Sequence, residues 1–304
     1  MNLLITGAAG FIGSALTQAL RVAGHTVTPL DNLSVTSRRR PSPQGLLVRD
    51  VRSLTAQDLD RVDTVVHLAA LKSVPDSFEI GGFEHNVATD RHLLHTFTQS
   101  TASRLLLASS CEVYGQQGGP LAETAPYAPR SPYAAGKMAT EHLAQIYRPI
   151  LGEGRQVGVV RFFNTYGPSE GPDAVVPAFL DAVAEDRPLT IEGDGTQARD
   201  LTHIDDAVTM LTRILDAPEL LPVVNCGSGE AVSVLDLAHA VIRAASRGTI
   251  THTAPRINEI ASFTSDQTLF TRTYGLVPRR PLNEALALTA ESRARTWMVA
   301  AGAR

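Results

Sequence analysis

Cysteine is scarce: Cys111 and Cys226 are the only two in 304 residues. Two thiols make no disulfide framework, so the chain is not a small cross-linked secreted scaffold, and free thiols suit a reducing, cytoplasmic setting. Basic residues do not predominate either. The formal charge is -4, which argues against a general nucleic-acid binder, since that function needs a basic face. No apolar run approaches the roughly 20 residues of a membrane-crossing helix. The opening, Met1-Asn2-Leu3-Leu4-Ile5-Thr6-Gly7, lacks a basic stretch and a long apolar core and does not read as a signal peptide. Internal repeats, low-complexity segments and metal-ligand clusters are also missing. What remains, 43% hydrophobic and 19% charged residues, is the composition of a globular protein. Its length allows one large or two modest domains with real cores.

The first informative stretch is Leu3-Leu4-Ile5, a short apolar strand, running into Thr6-Gly7-Ala8-Ala9-Gly10-Phe11-Ile12-Gly13. After the last glycine, Ile12, Leu16 and Leu20 recur at helical spacing. Glycines between a strand and a helix form a phosphate-binding turn of free backbone N–H groups. Gly7 permits the turn, Gly10 lets a pyrophosphate approach, and Gly13 lets helix and strand pack closely. A second strand, Thr26 to Leu30, ends at Asp31, the offset at which a carboxylate takes the ribose hydroxyls of NAD and repels the extra phosphate of NADP. Arg38-Arg39-Arg40 is the opposing signal, but it ends at Pro41 and reads as a solvated loop, so NAD is the expected cofactor. A third strand through Leu47 leads to Asp50, placed either to meet the adenine amine or to cap its loop. A fourth, Thr64 to Ala70, carries His67 as a core histidine and ends in Ala69 and Ala70, small enough for a cofactor to lie over them. Lys72 follows at the strand end, within reach of a ribose or phosphate. Asn86 either orients backbone near the reaction centre or caps the helix containing Leu93 and Leu94.

The chemistry concentrates in Ala108-Ser109-Ser110-Cys111-Glu112-Val113-Tyr114-Gly115 and Tyr133-Ala134-Ala135-Gly136-Lys137. The apolar run Arg104 to Ala108 breaks into small polar residues and a glycine, as a buried parallel strand does at a reaction site. Tyr133 and Lys137, four apart, share one helix face. A cation near a phenol favours the phenolate, and the Ser110 hydroxyl is placed to share that proton.

These motifs resemble the extended short-chain dehydrogenase/reductase superfamily, in its nucleotide-sugar epimerase and dehydratase branch. The likeness is carried by Thr6 to Gly13, Asp31-Asn32-Leu33, Tyr133 and Lys137, and spans nearly the whole chain. It implies a Tyr133 base at a sugar C4 hydroxyl, a Lys137 that holds the nicotinamide ribose and lowers the Tyr133 pKa, and a Ser110 bonded to the same sugar oxygen. It extends cofactor contact to Phe11, Ile12, Asn32, Val51, Leu68 and Ser109. For a UDP-sugar substrate it implies Lys72, Ser73, Asn164 at the diphosphate, Val176 in the substrate wall, and Arg199 and Arg256 as phosphate contacts. Arg256 lies in Arg256-Ile257-Asn258-Glu259, where the family usually has glycine in place of Asn258. Asp200 reads as a structural brace, Asp205 as a helix N-cap, Ile191 to Gly195 as a hairpin-like turn, and Trp297 as part of a terminal surface helix. The branch implies a Rossmann-type doubly wound α/β sheet over residues 1–165, with returns near 197–205 and 223–228, and a smaller mixed α/β substrate domain over 166–304. It also implies a homodimer formed through helices near 88–100 and 132–147.

Within this branch, 4-epimerases carry small or hydroxyl residues after the catalytic Ser/Thr, and 4,6-dehydratases carry Asp-Glu. This chain has Cys111-Glu112. Glu112 matches the base at sugar C5, and Cys111 stands where the acid for O6 stands. The run Ser-Cys-Glu-Val-Tyr-Gly, with Lys72-Ser73-Val74-Pro75 before it and Arg161-Phe162-Phe163-Asn164 after it, resembles the UDP-N-acetylglucosamine 5,6-dehydratases of tunicamycin-type antibiotic pathways. A UDP-hexose 4-epimerase is the alternative expectation, and a non-catalytic NAD(H)-binding regulator a minor one.

Overall fold

The computed structural model describes residues 1–35, 42–79, 81–256 and 259–302, with side chains described as far as residue 294. Arg38 to Arg40, Asn258 and the Trp297 side chain lie outside the described residues. In chain order the elements are β1 Asn2–Thr6, α1 Phe11–Val22, β2 Thr26–Asp31, β3 Leu47–Val48, α2 Ala56–Leu59, β4 Thr64–His67, α3 Gly82–Gln99, β5 Arg104–Ser110, α4 Pro132–Tyr147, β6 Gln156–Phe162, β7 Asn164–Tyr166, α5 Val175–Ala184, β8 Leu189–Glu192, β9 Ala198–His203, α6 Ile204–Asp216, β10 Val224–Cys226, β11 Ala231–Ser233, α7 Val234–Ala245, β12 Ile250–Thr253, β13 Ser262–Phe263, α8 Thr268–Tyr274 and α9 Leu282–Gly302.

Seven strands in the order β10-β6-β5-β4-β1-β2-β3 form one parallel sheet. Its central strands are apolar almost without a break because both faces are covered. The period-two geometry of a strand divides their side chains. Leu3 and Ile5 pack with Leu16 and Leu20 of α1 and with Ala207, Leu211 and Ile214 of α6. Leu4 faces the other way, into a core with Leu93, Leu94 and Phe97 of α3 and with Leu105 and Leu107 of β5. The doubly wound sheet expected from the sequence is therefore present. Strand order reverses between β1 and β4, which opens a crevice at the carboxyl ends of the strands.

A second region builds its own core from α5, α7, α9 and β8, with Val176, Phe179, Ile191, Leu237 and Leu286 buried together. Here the structure corrects several sequence expectations. The segment near 197–205 holds β9, which pairs with β7, β11 and β13 rather than with the large sheet. It is the amphipathic helix α6, next in the chain, that packs back on the large sheet; the return at 224–226, β10, does join that sheet. The 191–195 turn does not make a hairpin, because β8 pairs with β12 in a separate sheet. β4 stops at His67, which leaves Leu68 to Lys72 in the following loop. The α6 N-cap is His203, whose Nδ1 accepts from Asp205 N at 3.3 Å, so Asp205 is in the first turn. Asn86 lies inside α3 and does not cap it. No helix among the described residues is long and apolar enough to cross a membrane.

Asp200 braces the structure, as read from the sequence. Fully buried, it accepts from Ser228 N (2.7 Å), Ser228 Oγ (2.6 Å), Gly229 N (2.9 Å), Ser265 N (3.0 Å) and Ser265 Oγ. It thereby ties β9 to the turn after β10 and to the segment after β13. Asp200→Ala strands several buried donors, each costing about 1–3 kcal/mol; a loss of about 3 kcal/mol or more is expected in urea unfolding.

Glu170, in the loop between β7 and α5, is 6% exposed, and its Oε2 has no partner among the described residues. Burial pushes its carboxyl up to about 8, against the opposing charge of Lys72. A carboxyl with a raised folded-state pKa favours the protonated fold, so stability falls as pH rises from the ordinary glutamate range, about 4.3, toward 8. Glu170→Gln removes this loss, so thermal unfolding of the variant is expected to exceed wild type at pH 8 and to match it near pH 4.

Candidate active site

A cleft of about 370 Å³ opens at the crevice. Its floor is the glycine turn between β1 and α1. Gly7 has φ +68°, a left-handed conformation that a side chain would strain. A Cβ on Gly13 would sit 2.1 Å from the Gly7 carbonyl oxygen, and one on Gly10 would sit 2.9 Å from it. The turn thus has room for neither side chain. Gly10 is the α1 N-cap, with no side chain capping the helix and no acid in the first turn. The helix presents its free N–H groups and positive dipole end to the cleft, which suits a pyrophosphate. Asp31 braces the same turn. Its Oδ2 accepts from Ala9 N at 3.0 Å and its Oδ1 from Leu33 N at 2.8 Å. Asp50 caps the short turn after it and pairs with Arg52, which holds its carboxyl well below the usual range. Asn32 donates to it at 3.2 Å.

Every residue the sequence assigned to a dinucleotide or to catalysis lines this one cleft: Gly7, Gly10, Phe11, Ile12, Asp31, Asn32, Asp50, Val51, Leu68, Ala69, Ala70, Lys72, Ser109, Ser110, Cys111, Glu112, Tyr133 and Lys137. Asn164 lines it as well, at the start of β7. Asn86 clamps the Leu68–Lys72 loop, accepting from Leu71 N and donating to Leu71 O, both at 2.9 Å. The residues present therefore fit an NAD molecule.

Four expected substrate contacts do not line the cleft. Ser73 Oγ accepts from Asp76 N and caps a turn. Val176 is buried in the second core. Arg199 is held by Glu259, donates to Ile260 O at 2.7 Å and Ala198 O at 2.9 Å, and lies over the Phe263 ring. Arg256 pairs with Glu192 at an exposed position.

The reactive end is set by β5 and α4. Ser110 ends β5 and caps the short turn Cys111–Tyr114, its Oγ accepting from Glu112 N at 3.2 Å. Tyr133 and Ser110 line the same end of the cleft, where the Ser110 hydroxyl acts on the phenol. Burial raises the Tyr133 phenol far above its ordinary value; the Ser110 hydroxyl opposes this, while Cys111, Glu112 and Asp90 add to it. The expected lowering by Lys137 does not prevail, because burial is the stronger effect. Lys137 itself is 3% exposed and donates to Ala108 O at 2.9 Å. Cys111 is 3% exposed, and burial first, then the Glu112 charge, raises its thiol well above the usual value. Burial also raises Glu112, against the pull of Arg199 and with a push from Glu259.

Sequence reasoning missed the polar groups that hold these two elements together. Glu141, one turn beyond Lys137 on α4, is 1% exposed and pairs with Arg161 of β6 at 2.7 Å. Its oxygens also accept from Ser109 Oγ and from Tyr127 OH at 2.8 Å. Asp90 of α3, also 1% exposed, bonds His67 at 2.8 Å and accepts from Thr140 Oγ1. The signal was available: Thr140 and Glu141 continue the Tyr133–Lys137 face, and Arg161 is a charge in a buried strand, which needs a partner.

Comparison with known proteins finds close likenesses over nearly the whole chain. An NAD-dependent NDP-hexosamine 5,6-dehydratase, TunA, involved in tunicamycin biosynthesis, superposes with a TM-score of 0.91 at 39% identity, over 97% of this chain and 98% of that structure. The structure of MoeE5 in complex with UDP-glucuronic acid and NAD gives a TM-score of 0.87 at 33% identity, over 97% of this chain and all of that one. An uncharacterized UDP-glucose epimerase, YtcB, from Bacillus subtilis (strain 168), is 32% identical over 279 residues, 84% of this chain and 86% of the relative. The profile of one family matches residues 3–227, from the first buried residue of β1 past the last strand of the parallel sheet. With glycine turn, acid, phenol and lysine gathered in one crevice, the chain belongs to the NAD dependent epimerase/dehydratase family.

Proposed function

We propose that this protein is a nucleotide-sugar dehydratase that oxidises a UDP-hexosamine transiently at C4, removes the C5 proton and expels the C6 hydroxyl as water. The observation that carries the reading is that Cys111 and Glu112 line the same cleft as Ser110, Tyr133 and Lys137. The likeness to the 5,6-dehydratase supports the hexosamine and the 5,6 outcome. The pyranose lies in this reading between the end of β5 and the second region, which serves as the substrate domain. In two copies of the chain, α3 and α4 form the dimer face.

Bound NAD supplies a reversible two-electron acceptor at C4. Tyr133 takes the proton of the C4 hydroxyl, with Ser110 sharing the same oxygen, and Lys137 stabilises the phenolate. A ketone at C4 acidifies the C5 proton, which the Glu112 carboxylate removes. The electron pair from the C5–H bond forms the C5–C6 double bond as the C6–O6 bond breaks. Cys111 gives O6 its proton, so one water leaves. Burial keeps the thiol protonated at neutral pH, and a departing hydroxide, whose conjugate acid has a pKa near 15.7, is the stronger base. Reduction at C4 then restores the alcohol.

A UDP-hexose 4-epimerase is the second reading, favoured by the UDP-glucose epimerase relative; it uses Tyr133, Ser110 and Lys137 but never breaks the C5–H bond. Incubating UDP-N-acetylglucosamine and UDP-glucose in deuterium oxide, with NMR of C4, C5 and C6, separates the two. The expected result is loss of water and an exocyclic alkene at C5–C6. Inversion at C4 with C5–H and O6 intact would overturn the dehydratase.

Glu112→Gln should lower dehydration about 10²–10⁴-fold while reduced cofactor still forms from added substrate. Because burial raises Glu112 and the step needs its carboxylate, wild-type dehydration should fade with acid above the ordinary glutamate range, about 4.3.

A further inference from the structure

Asp90 is a buried carboxylate that the proposed mechanism does not use. It stands on α3, and three elements converge on it. From the sheet, His67 bonds its Oδ1 at 2.8 Å, and the other ring nitrogen meets Thr6 Oγ1 at 2.6 Å, at the start of the glycine turn. From α4, Thr140 Oγ1 donates to its Oδ2 and, at 3.1 Å, to the Gly136 carbonyl. Lys137 lies one turn before Thr140 on the same face. Its charge acts on Asp90, and burial is the effect it opposes there. Lys137 and Asp90 are 3% and 1% exposed, so water screens neither charge well.

A buried ammonium whose hydrogen bond goes to a carbonyl needs a counter-charge, and a buried carboxylate needs a cation. We propose that Asp90 is a positioning residue for the C4 oxidation: its carboxylate pins the helix carrying Tyr133 and Lys137 to the sheet through His67 and Thr140, and offsets the Lys137 charge that favours the Tyr133 phenolate. This rests on Tyr133 being the C4 base, a step that the dehydratase and epimerase readings share. Asp90, from α3, adds to the raising of the Tyr133 phenol, as Cys111 and Glu112 do from the end of β5, while Ser110 opposes it; the Lys137 effect on Tyr133 is the one carried by the proposed function.

The sign follows from charge. Neutralising Asp90 leaves Lys137 unopposed, favours the phenolate, and moves the acid limb of oxidation to lower pH. The test is the single-turnover rate of cofactor reduction against pH in the holoenzyme, with whichever of UDP-N-acetylglucosamine or UDP-glucose turns over. Asp90→Asn should move the limb about one pH unit down; an unmoved limb, or one moved up, overturns the proposal. A second measurement needs no substrate and does not require Asp90→Asn to fold alone. Lys137→Met strands the Asp90 charge, so adding Asp90→Asn to it should raise the thermal unfolding midpoint; a lower or equal midpoint overturns the pairing. Turnover by Tyr133→Phe would remove the base reading on which the pH shift rests, and the unfolding comparison then decides for or against Asp90 by itself.

Discussion

The site depends on one buried ion pair, Glu141 with Arg161. Two charges removed from water are costly unless their remaining hydrogen-bonding capacity is filled. Here it is filled: Ser109, Tyr127 and Arg161 Nε and Nη2 serve the carboxylate, and Arg161 Nη1 donates to Glu123 O at 3.0 Å. The Tyr114 and Tyr127 rings lie 4.6 and 5.1 Å from the guanidinium carbon. Burial works against the Arg161 charge, and Glu141 overrides it. The pair joins α4 to β5 and β6, so the helix bearing Tyr133 and Lys137 has one seating on the strand that delivers Ser110, Cys111 and Glu112. Proton transfer within a hydrogen bond tolerates little misplacement, and this clamp supplies the rigidity.

Burial then gives one cleft several proton affinities. It raises Tyr133, Cys111 and Glu112 alike, because each would carry its charge as an anion in a low dielectric. What separates them is their neighbours. Arg199 draws both Glu112 and Cys111 toward their anions, but the Glu112 charge beside Cys111 adds to burial in holding the thiol protonated. In the proposed dehydration these environments leave Glu112 as the base and Cys111 as the acid at adjacent positions.

Much of this was legible in the sequence. Gly7, Gly10 and Gly13 could be read because a turn that close to a strand and a phosphate admits no side chain, and the clash distances bear this out. The parallel sheet was legible from apolar runs at β1, β4, β5 and β6. His67 read correctly as a core residue, and Asp200 as a brace. Some failed expectations were local, such as Asp205 as the α6 cap, and others turn on pairing between distant segments. Nothing local says that β9 joins β7, β11 and β13, or that β8 pairs with β12, because strand partners are chosen by packing across the whole chain.

The sequence by itself determined the dinucleotide turn, the strand-end polar residues and the Tyr133–Lys137 face, since each rests on local spacing: a tight turn, a period of two, a period of 3.6. Only the tertiary structure decided that Glu141 meets Arg161, that Asp90 meets His67 and Thr140, and that Arg199 and Arg256 pair with Glu259 and Glu192. The reason is physical. A charge buried in the fold must find a partner, and which partner lies within reach is settled by how helices and strands far apart in the chain come to rest on one another.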